Sequence, residues 1–242
     1  MKNNILKFFI LFLFIMLALI FYFSTVGIET DRFNNQIKNK IIKINKNLDL
    51  DLKKIKLTLV PFKFKISAKT VGTTVFFKKK PLPLEYIKSQ VSLNSLIKNK
   101  IVSTNIEVAS KSILLKDLIK FIRATNNKPE LFILEKTLKK GHIILDLNLN
   151  IDDKGKIKKD YEIRGLIKEA KIDFFNKHKI ENINFNFYLK KENYLLKKIN
   201  FIEKETEFIS NKINIVKKKN SYFLTGDVKN DQSNLNSYIL KL

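Results

Sequence analysis

Apolar and polar residues alternate along much of the second half of the chain, and the clearest case is GHIILDLNLNI, residues 141–151. From Ile143 onward every second residue is apolar, while Asp146 and Asn148 occupy positions between them. Because successive side chains of a strand point to opposite faces, the segment is predicted to be a strand with one apolar face. The pattern leaves open what covers that face.

The same alternation recurs at spacings of roughly ten residues toward the C-terminus, which predicts an antiparallel meander. DDKG, residues 152–155, is a turn signal between two of these strands. Residues 234–242 are a candidate terminal helix. The apolar positions that define the later strands are Ile163, then Ala170, Ile172 and Phe174, then Ile183, Phe185, Phe187 and Leu189, then Tyr194 and Leu196, then Phe208, Ile213 and Ile215, and finally Tyr222, Leu224 and Val228.

The first half mixes helical and strand patterns. Residues 31–46 are predicted to be an amphipathic helix with Thr30 or Asp31 as its cap. The stripe of apolar residues along this helix either packs on the first strands or lies on a membrane surface, and packing is favoured. Two short strands follow, and the change of phase at residues 53–54 predicts a bulge or turn between them. The stripe consists of Phe33, Ile37, Ile41, Ile44 and Leu48.

Prolines and further apolar runs divide the region up to residue 140. A strand is expected to resume after Pro61, through Phe62, Phe64, Ile66 and Ala68. KKKPLPL, residues 78–84, is predicted to be a loop because proline is disfavoured in helices and central strands. Further strands are expected at residues 87–93 and 104–108, with a turn at 94–100, and helices at 112–123 and 129–140, the second ended by Gly141.

An uncharged apolar segment at residues 8–23 predicts a membrane anchor. Extended to Ile28, it reaches about 20 residues, which at about 1.5 Å per residue spans roughly 30 Å of hydrocarbon. Lys2 and Lys7 precede it, so the positive-inside rule places the N-terminus in the cytoplasm and the remainder across the membrane. The anchor candidates are Phe8, Leu11, Phe14, Leu17, Ile20 and Phe23.

A cleaved signal peptide is the alternative reading of this segment. It requires a shorter apolar core and a cleavage site with small residues. The apolar run is long and STVG, residues 24–27, is a poor match to such a site. An uncleaved anchor is therefore favoured.

The charge of the chain changes this picture little. The formal net charge is +24 over 242 residues, but arginine occurs only at Arg32, Arg123 and Arg164. Recognition of bases and phosphates favours arginine, so no nucleic-acid partner is predicted. A solvated lysine-rich surface is the simpler interpretation, and attraction of anionic lipid headgroups is the other.

Residues that carry chemistry are scarce. There is no cysteine, which excludes disulfides and thiolate sites. His142 and His178 stand in unrelated contexts, and Asp152 and Asp153 are interpreted as turn residues. No glycine-rich phosphate loop occurs. The sequence predicts neither an enzyme, nor a metal site, nor a cofactor.

The order of features resembles the AsmA-like family of bacterial envelope proteins, which includes TamB- and YhdP-type members. The family pattern is a membrane helix, an amphipathic helix and then strands, here residues 8–23, residues 31–46 and LDLDLKKIKLTL. IKSQVSLNSLIKNKIVSTNIEV, residues 87–108, is similar to the recurring strand–turn–strand unit of the family. KGHIILDLNLNIDDKGKIKKDYEIRGLIKEAKIDF, residues 140–174, is similar to a later unit.

This resemblance implies a mainly β fold with a few helices, in which an N-terminal transmembrane helix precedes an antiparallel meander curled into an elongated groove or half-barrel. The implied segments are an anchor at 1–28, a β region with helices at 29–140 and the meander at 141–242. The implied location is the inner membrane, with the bulk of the chain in the periplasm, and the implied partners are phospholipids and other envelope proteins. Acyl chains would lie on an inner wall whose candidates are Ile143, Leu145, Leu147, Leu149, Ile163, Ile183, Phe185, Phe187 and Leu189.

A non-catalytic assembly or scaffolding protein with a closed β domain is the alternative. An LptC-like anchored β-jellyroll is a further shape for a lipid handler, and it predicts fewer helices than residues 112–140 indicate. The position of those two helices separates the first two readings. Helices that cap one end of an open sheet favour a groove, whereas helices that lie along its apolar face fill the groove and favour a scaffold.

Overall fold

The protein is mainly β, and its described residues form one large sheet and four helices. The computed structural model describes residues 2–94, 103–152, 156–174, 178–218 and 221–230. Strands account for more than half of the residues that the structure describes. The helices are α1 (Lys2–Thr25), α2 (Asn34–Ile44), α3 (Leu115–Thr125) and α4 (Pro129–Thr137), and a single 3-10 turn spans Pro61–Lys63.

In the described part of the chain, fourteen strands form the sheet. They are β1 (Ile28–Thr30), β2 (Leu48–Asp51), β3 (Ile55–Val60), β4 (Lys65–Val71), β5 (Thr74–Phe77), β6 (Lys80–Ser92), β7 (Ser103–Ser110), β8 (Ile113–Leu114), β9 (Leu138–Asn150), β10 (Glu162–Phe174), β11 (His178–Lys190), β12 (Asn193–Glu203), β13 (Thr206–Lys218) and β14 (Ser221–Gly226).

The strands lie in the order β1-β3-β4-β6-β7-β9-β10-β11-β12-β13-β14, with β2 beside β5, β5 beside the first half of β6, and β8 beside the start of β9. Each strand from β9 to β14 pairs with the next in antiparallel fashion, which confirms the predicted meander. No described strand joins β1 to β14. The sheet is open, and the closed β domain of the alternative reading is not observed.

The apolar helix α1, which we call the membrane-type helix, continues directly into the sheet. Gly27 turns the chain with φ +70°, and β1 begins at the next residue, where Ile28 pairs with Leu57 of β3. A Cβ on Gly27 would lie 2.3 Å from the carbonyl oxygen of Leu57, so only glycine fits this close approach. The three-residue strand β1 was not expected from the sequence.

The amphipathic helix α2 is confirmed, but its predicted cap is wrong. The helix begins at Asn34, and no side chain caps it. The hydroxyl of Thr30 instead accepts a hydrogen bond from the Arg32 amide at 3.2 Å. The amide Nδ2 of Asn34 donates to the carbonyl of Lys53 at 3.0 Å and so ties α2 to the predicted turn between β2 and β3.

The stripe on α2 packs toward the first strands, as favoured. α2 contacts β2, and Lys38 Nζ lies 3.2 Å from a carboxylate oxygen of Asp49 in that strand. Ile37 and Ile41 are half-buried, whereas Phe33 is exposed.

The loop predicted at residues 78–84 is wrong, because β6 begins at Lys80 and passes through both prolines. Pro81 and Pro83 pair with β5 along one edge. Pairing with β7 along the other edge begins only at Leu84. The first half of β6 therefore has an edge with no described strand beside it. The N–H groups that the two prolines lack interrupt no hydrogen bonds between strands at that edge.

Two further predictions need correction. Phe62 and Phe64 do not belong to a strand, because Phe62 lies in the 3-10 turn and β4 begins at Lys65. Gly141 does not end a helix, because α4 ends at Thr137 and Gly141 lies inside β9. Both helices of this region are otherwise confirmed with shifted bounds. The proposed helix at 234–242, the turn at 95–100 and residues 153–155 of DDKG lie outside the described residues.

A line of bulges crosses strands β9 to β12. Gly141, Glu169, Asn182 and Lys198 have φ values of +133°, +51°, +50° and +53°, and breaks in the strand register lie beside them. A bulge sets two residues opposite one, so it bends the strand and exchanges the faces of the residues beyond it. Leu138 and Ile143 therefore pack in the same cluster although they are five positions apart.

We expect Gly141→Ala to lower the free energy of unfolding by about 1–3 kcal/mol, because overpacking at a tight site has that cost. The new Cβ would lie 2.8 Å from the Ala170 Cα and 2.7 Å from the Leu115 Cδ1. The measurement is chemical unfolding of the full chain in detergent, followed by circular dichroism. Lys139→Ala, on the same strand and exposed, is the control and should change stability by less than about 0.5 kcal/mol. Equal stability of the two variants would show that the approach at Gly141 is not tight.

Candidate functional site: the apolar face of the sheet

The nine inner-wall candidates lie together on one face of β9, β10 and β11. In an antiparallel sheet, directly paired residues are neighbours on the same face. Ile163 of β10 pairs with Leu147 on one side and with Leu189 on the other. Gly165 pairs in the same way with Leu145 and Phe187, and Ile167 pairs with Ile143 and Phe185, which places these four residues on the same face. Leu149 lies two residues after Leu147 and so shares its face. Ile183 packs against the same cluster as Ile143.

This face extends far beyond the candidates. One unbroken line of pairings crosses ten strands from β3 to β14 and carries apolar residues at nearly every position. At about 4.8 Å per strand, its nine spacings give a length of about 43 Å. We call it the apolar row; its members are Ile55, Thr70, Ile87, Val108, Leu147, Ile163, Leu189, Tyr194, Ile215 and Leu224.

Thr70 and Tyr194 are the polar members of the apolar row. The hydroxyl of Thr70 lies 3.1 Å from that of Thr73, and both side chains are buried. Each buried hydroxyl therefore has the other as its hydrogen-bond partner. Tyr194 presents a large ring with a polar tip. Neither residue places a charge in the row.

Aromatic rings increase the apolar area at the centre of the face. A Cβ on Gly165 would lie 2.6 Å from the Cζ of Phe187, so the ring of Phe187 lies over the glycine backbone. The rings of Phe185 and Phe187 are 6.4 Å apart in an edge-to-face arrangement.

Helices α3 and α4 cover only one end of the face. α3 contacts β5, β6, β8 and β9, and α4 contacts β9 and β10 near the start of β9. Ile143 is 6% exposed in this cluster and is therefore a core residue. Leu147, Ile163 and Leu189 lie outside the cluster and are half-buried. The buried cluster consists of Ile113, Leu115, Ile119, Leu138, Ile143 and Ala170.

The opposite face carries the charges. Cross-strand ion pairs join Lys88 to Glu107 at 3.0 Å, Arg164 to Asp146 at 3.4 Å and Lys190 to Glu162 at 2.5 Å. These pairs are solvent-accessible and contribute little stability each. They make the sheet amphipathic across strands β6 to β11.

A depression of about 620 Å³ lies mainly on this charged face and not on the apolar one. Ile144, Leu166, Tyr188 and Leu195 form its apolar part, and Arg164 borders it. It is open to solvent and mixes apolar and charged lining. The groove shape expected for the apolar face is therefore not established by this depression.

The described part of the chain forms no assembled catalytic site and no metal site. His178 Nδ1 lies 3.2 Å from Glu203 Oε1 on an exposed edge, without a third partner of the kind a triad needs. No group of three His, Asp or Glu residues there could hold a metal ion.

The helix α1 provides a second apolar surface. Ile5–Thr25 has a mean hydropathy of 2.8 and is long and apolar enough to cross a membrane, which suits either an anchor or a signal sequence. Of the anchor candidates, Phe8, Leu11, Phe14 and Leu17 are exposed. Ile20 and Phe23 are half-buried near the end of the helix that contacts β3.

Comparison with protein-family models, with curated proteins and with solved structures found no match to this chain.

We expect the pKa of Glu162 to lie below its ordinary value, chiefly because Lys190 donates a hydrogen bond to its carboxylate. The ion pair therefore contributes to the stability of the fold at pH values above the ordinary carboxyl pKa. This contribution is lost as the pH falls through the lowered pKa of Glu162. Lys190→Gln should raise the pKa of Glu162 toward its ordinary value, as measured by NMR titration of the labelled carboxyl carbon. Lys191→Gln, one residue further on, is the control and should leave it unchanged. An unchanged pKa in Lys190→Gln would contradict the pairing.

Proposed function

We propose that this chain is a membrane-anchored protein that binds the acyl chains of phospholipids on the apolar face of its sheet. The observation that carries the proposal is the apolar row, which crosses ten strands without a charged residue and begins on β3, the strand that contacts α1.

The start of the row is tied to α1. β1 follows Thr25 of α1 after only two residues, and β3, which holds Ile55, pairs with β1 and contacts α1. The sheet that bears the apolar face therefore starts directly beside α1. Ile55 and Thr70 are buried, so the members of the row that a lipid can reach begin at Ile87. An uncleaved anchor is part of this proposal, since α1 continues into the sheet with no linker.

The dimensions suit an acyl chain. Face positions from Ile183 to Leu189 span six residues, about 20 Å at about 3.3 Å per residue. The hydrocarbon of one leaflet is about 15 Å thick, half of the roughly 30 Å core. Partly accessible aliphatic and aromatic side chains over such an area are typical of a surface that has a lipid or protein partner.

Lysines lie where headgroups would emerge. Lys191 lies in the turn between β11 and β12, two residues after Leu189, and the end of β13 carries Lys217 and Lys218 close to Ile215. Each lysine near an anionic lipid surface contributes about 1 kcal/mol of attraction. Apolar residues would thus hold the chains while lysines at the sheet edge attract the headgroups.

The resemblance to the AsmA-like family leads to the same proposal. It adds that the sheet lies in the periplasm, that α1 lies in the inner membrane, and that the role is the maintenance of envelope lipids without catalysis.

A role in envelope assembly is a second candidate, favoured by the open edge at β14. Tyr222, Phe223 and Leu224 are 62%, 53% and 66% exposed, and β13 is the one described strand that pairs with β14. An exposed apolar edge can accept a strand from a partner protein.

The proposal is tested with a photo-crosslinking amino acid placed at neighbouring positions on opposite faces of the full chain in native membranes. Leu147 and Leu189 belong to the apolar face, and Asn148 and Tyr188 are their neighbours on the charged face. We expect phospholipid adducts at Leu147 and Leu189 only, because successive strand residues point to opposite faces. Mass spectrometry of the irradiated protein detects the adducts.

Equal lipid labelling at all four positions would indicate general contact with the membrane and would contradict a specific face. Protein adducts at Leu147 and Leu189, without lipid, would favour the assembly role.

A further inference from the structure

The turn between β3 and β4 presents two phenylalanines to the outside of the protein. Phe62 is 99% exposed and Phe64 is 69% exposed. Lys63 lies between them and Lys65 follows. Neither ring contributes to the core, so the fold itself gives no reason for two aromatic residues at this tip.

Phe64 also has an unfavourable backbone conformation. Its φ of +48° and ψ of +49° lie in the left-handed region, which a bulky residue rarely adopts. Two backbone hydrogen bonds hold it there, one from its own amide to the Pro61 carbonyl at 3.1 Å and one from the Leu93 amide to its carbonyl at 2.9 Å. Every other described non-glycine residue with positive φ is a lysine, glutamate or asparagine. An aromatic side chain at this position costs free energy without contributing to the fold.

The register places this turn beside the end of α1. Leu57 pairs with Ile28, and β3 runs antiparallel to β1, back toward the helix from which β1 emerges. Val60 lies three residues beyond Leu57, about 10 Å further in that direction at about 3.3 Å per residue. Thr58 approaches Gly27 closely, and β3 contacts α1. The tip therefore extends along the last turns of the helix.

We propose that the turn formed by Phe62, Lys63 and Phe64 is a second membrane contact, in which both rings enter the bilayer interface next to α1. The proposal rests on the anchoring of α1 that belongs to the proposed function. Aromatic residues with adjacent lysines suit the interface, because the rings enter the acyl boundary while the ammonium groups remain with anionic headgroups. The contact would hold β3, where the apolar row begins, against the membrane surface.

The absence of tryptophan from the chain allows a direct test. Three single-tryptophan variants of the full chain are reconstituted in phosphatidylcholine–phosphatidylglycerol vesicles: Phe62→Trp at the turn, Phe12→Trp in the middle of α1, and Phe132→Trp on α4. Phe132 is the control because it is 49% exposed and belongs to the helix at the opposite ends of the strands. Lipids with bromine near the carbonyl end or near the methyl end of the acyl chain quench tryptophan at shallow or deep positions.

We expect Phe62→Trp to emit at a shorter wavelength than Phe132→Trp and to be quenched most by the shallow bromine. Phe12→Trp should be quenched most by the deep bromine, and Phe132→Trp by neither. Quenching of Phe12→Trp without quenching of Phe62→Trp would overturn this proposal and leave the anchor intact. Absence of quenching in both would overturn the anchor, and with it the proposed function. A short-wavelength emission of Phe62→Trp that no bromine quenches would mean that protein covers the turn, which also overturns the proposal.

Discussion

The structure depends on the register that aligns apolar side chains across ten antiparallel strands. Direct pairing sets Val108 opposite Leu147 and Leu147 opposite Ile163, so that single apolar residues on separate strands become one continuous surface. A slip of one residue at any pairing would turn that strand's apolar residues to the charged face. The same register therefore separates the apolar row from the ion pairs on the other side of the sheet.

The bulges and the helices determine how much of this surface stays open. The bulges at Gly141, Glu169, Asn182 and Lys198 bend four strands at the same level, and each exchanges the faces beyond it. α3 and α4 cover the end of the face near Gly141 and bury Leu138 and Ile143. Ile55 and Thr70, where the apolar row starts, are buried as well, so the lipid role is assigned to the partly accessible stretch from Leu147 to Leu189.

Sequence patterns predicted the features that depend on the residues of a single segment. The apolar length of α1, the stripe of α2 and the alternation from β9 onward each lie within one segment, and all three are confirmed. Strand β1 was missed because three residues carry no periodicity. The first half of β6 was missed because proline is tolerated only where an edge lacks a neighbour, which depends on where β7 begins to pair. The apolar row was found only in part, because its continuation from Val108 to Ile55 depends on pairings between segments far apart in the chain.

The central claim is that the partly accessible apolar face holds acyl chains. The most direct measurement is native mass spectrometry of the full chain purified in mild detergent, with extraction and identification of bound lipid. The account predicts that phospholipid copurifies in a defined ratio, that Leu147→Asp loses it in a folded protein, and that Asn148→Asp on the charged face retains it. A folded chain without bound lipid, or equal lipid in both variants, would contradict the account.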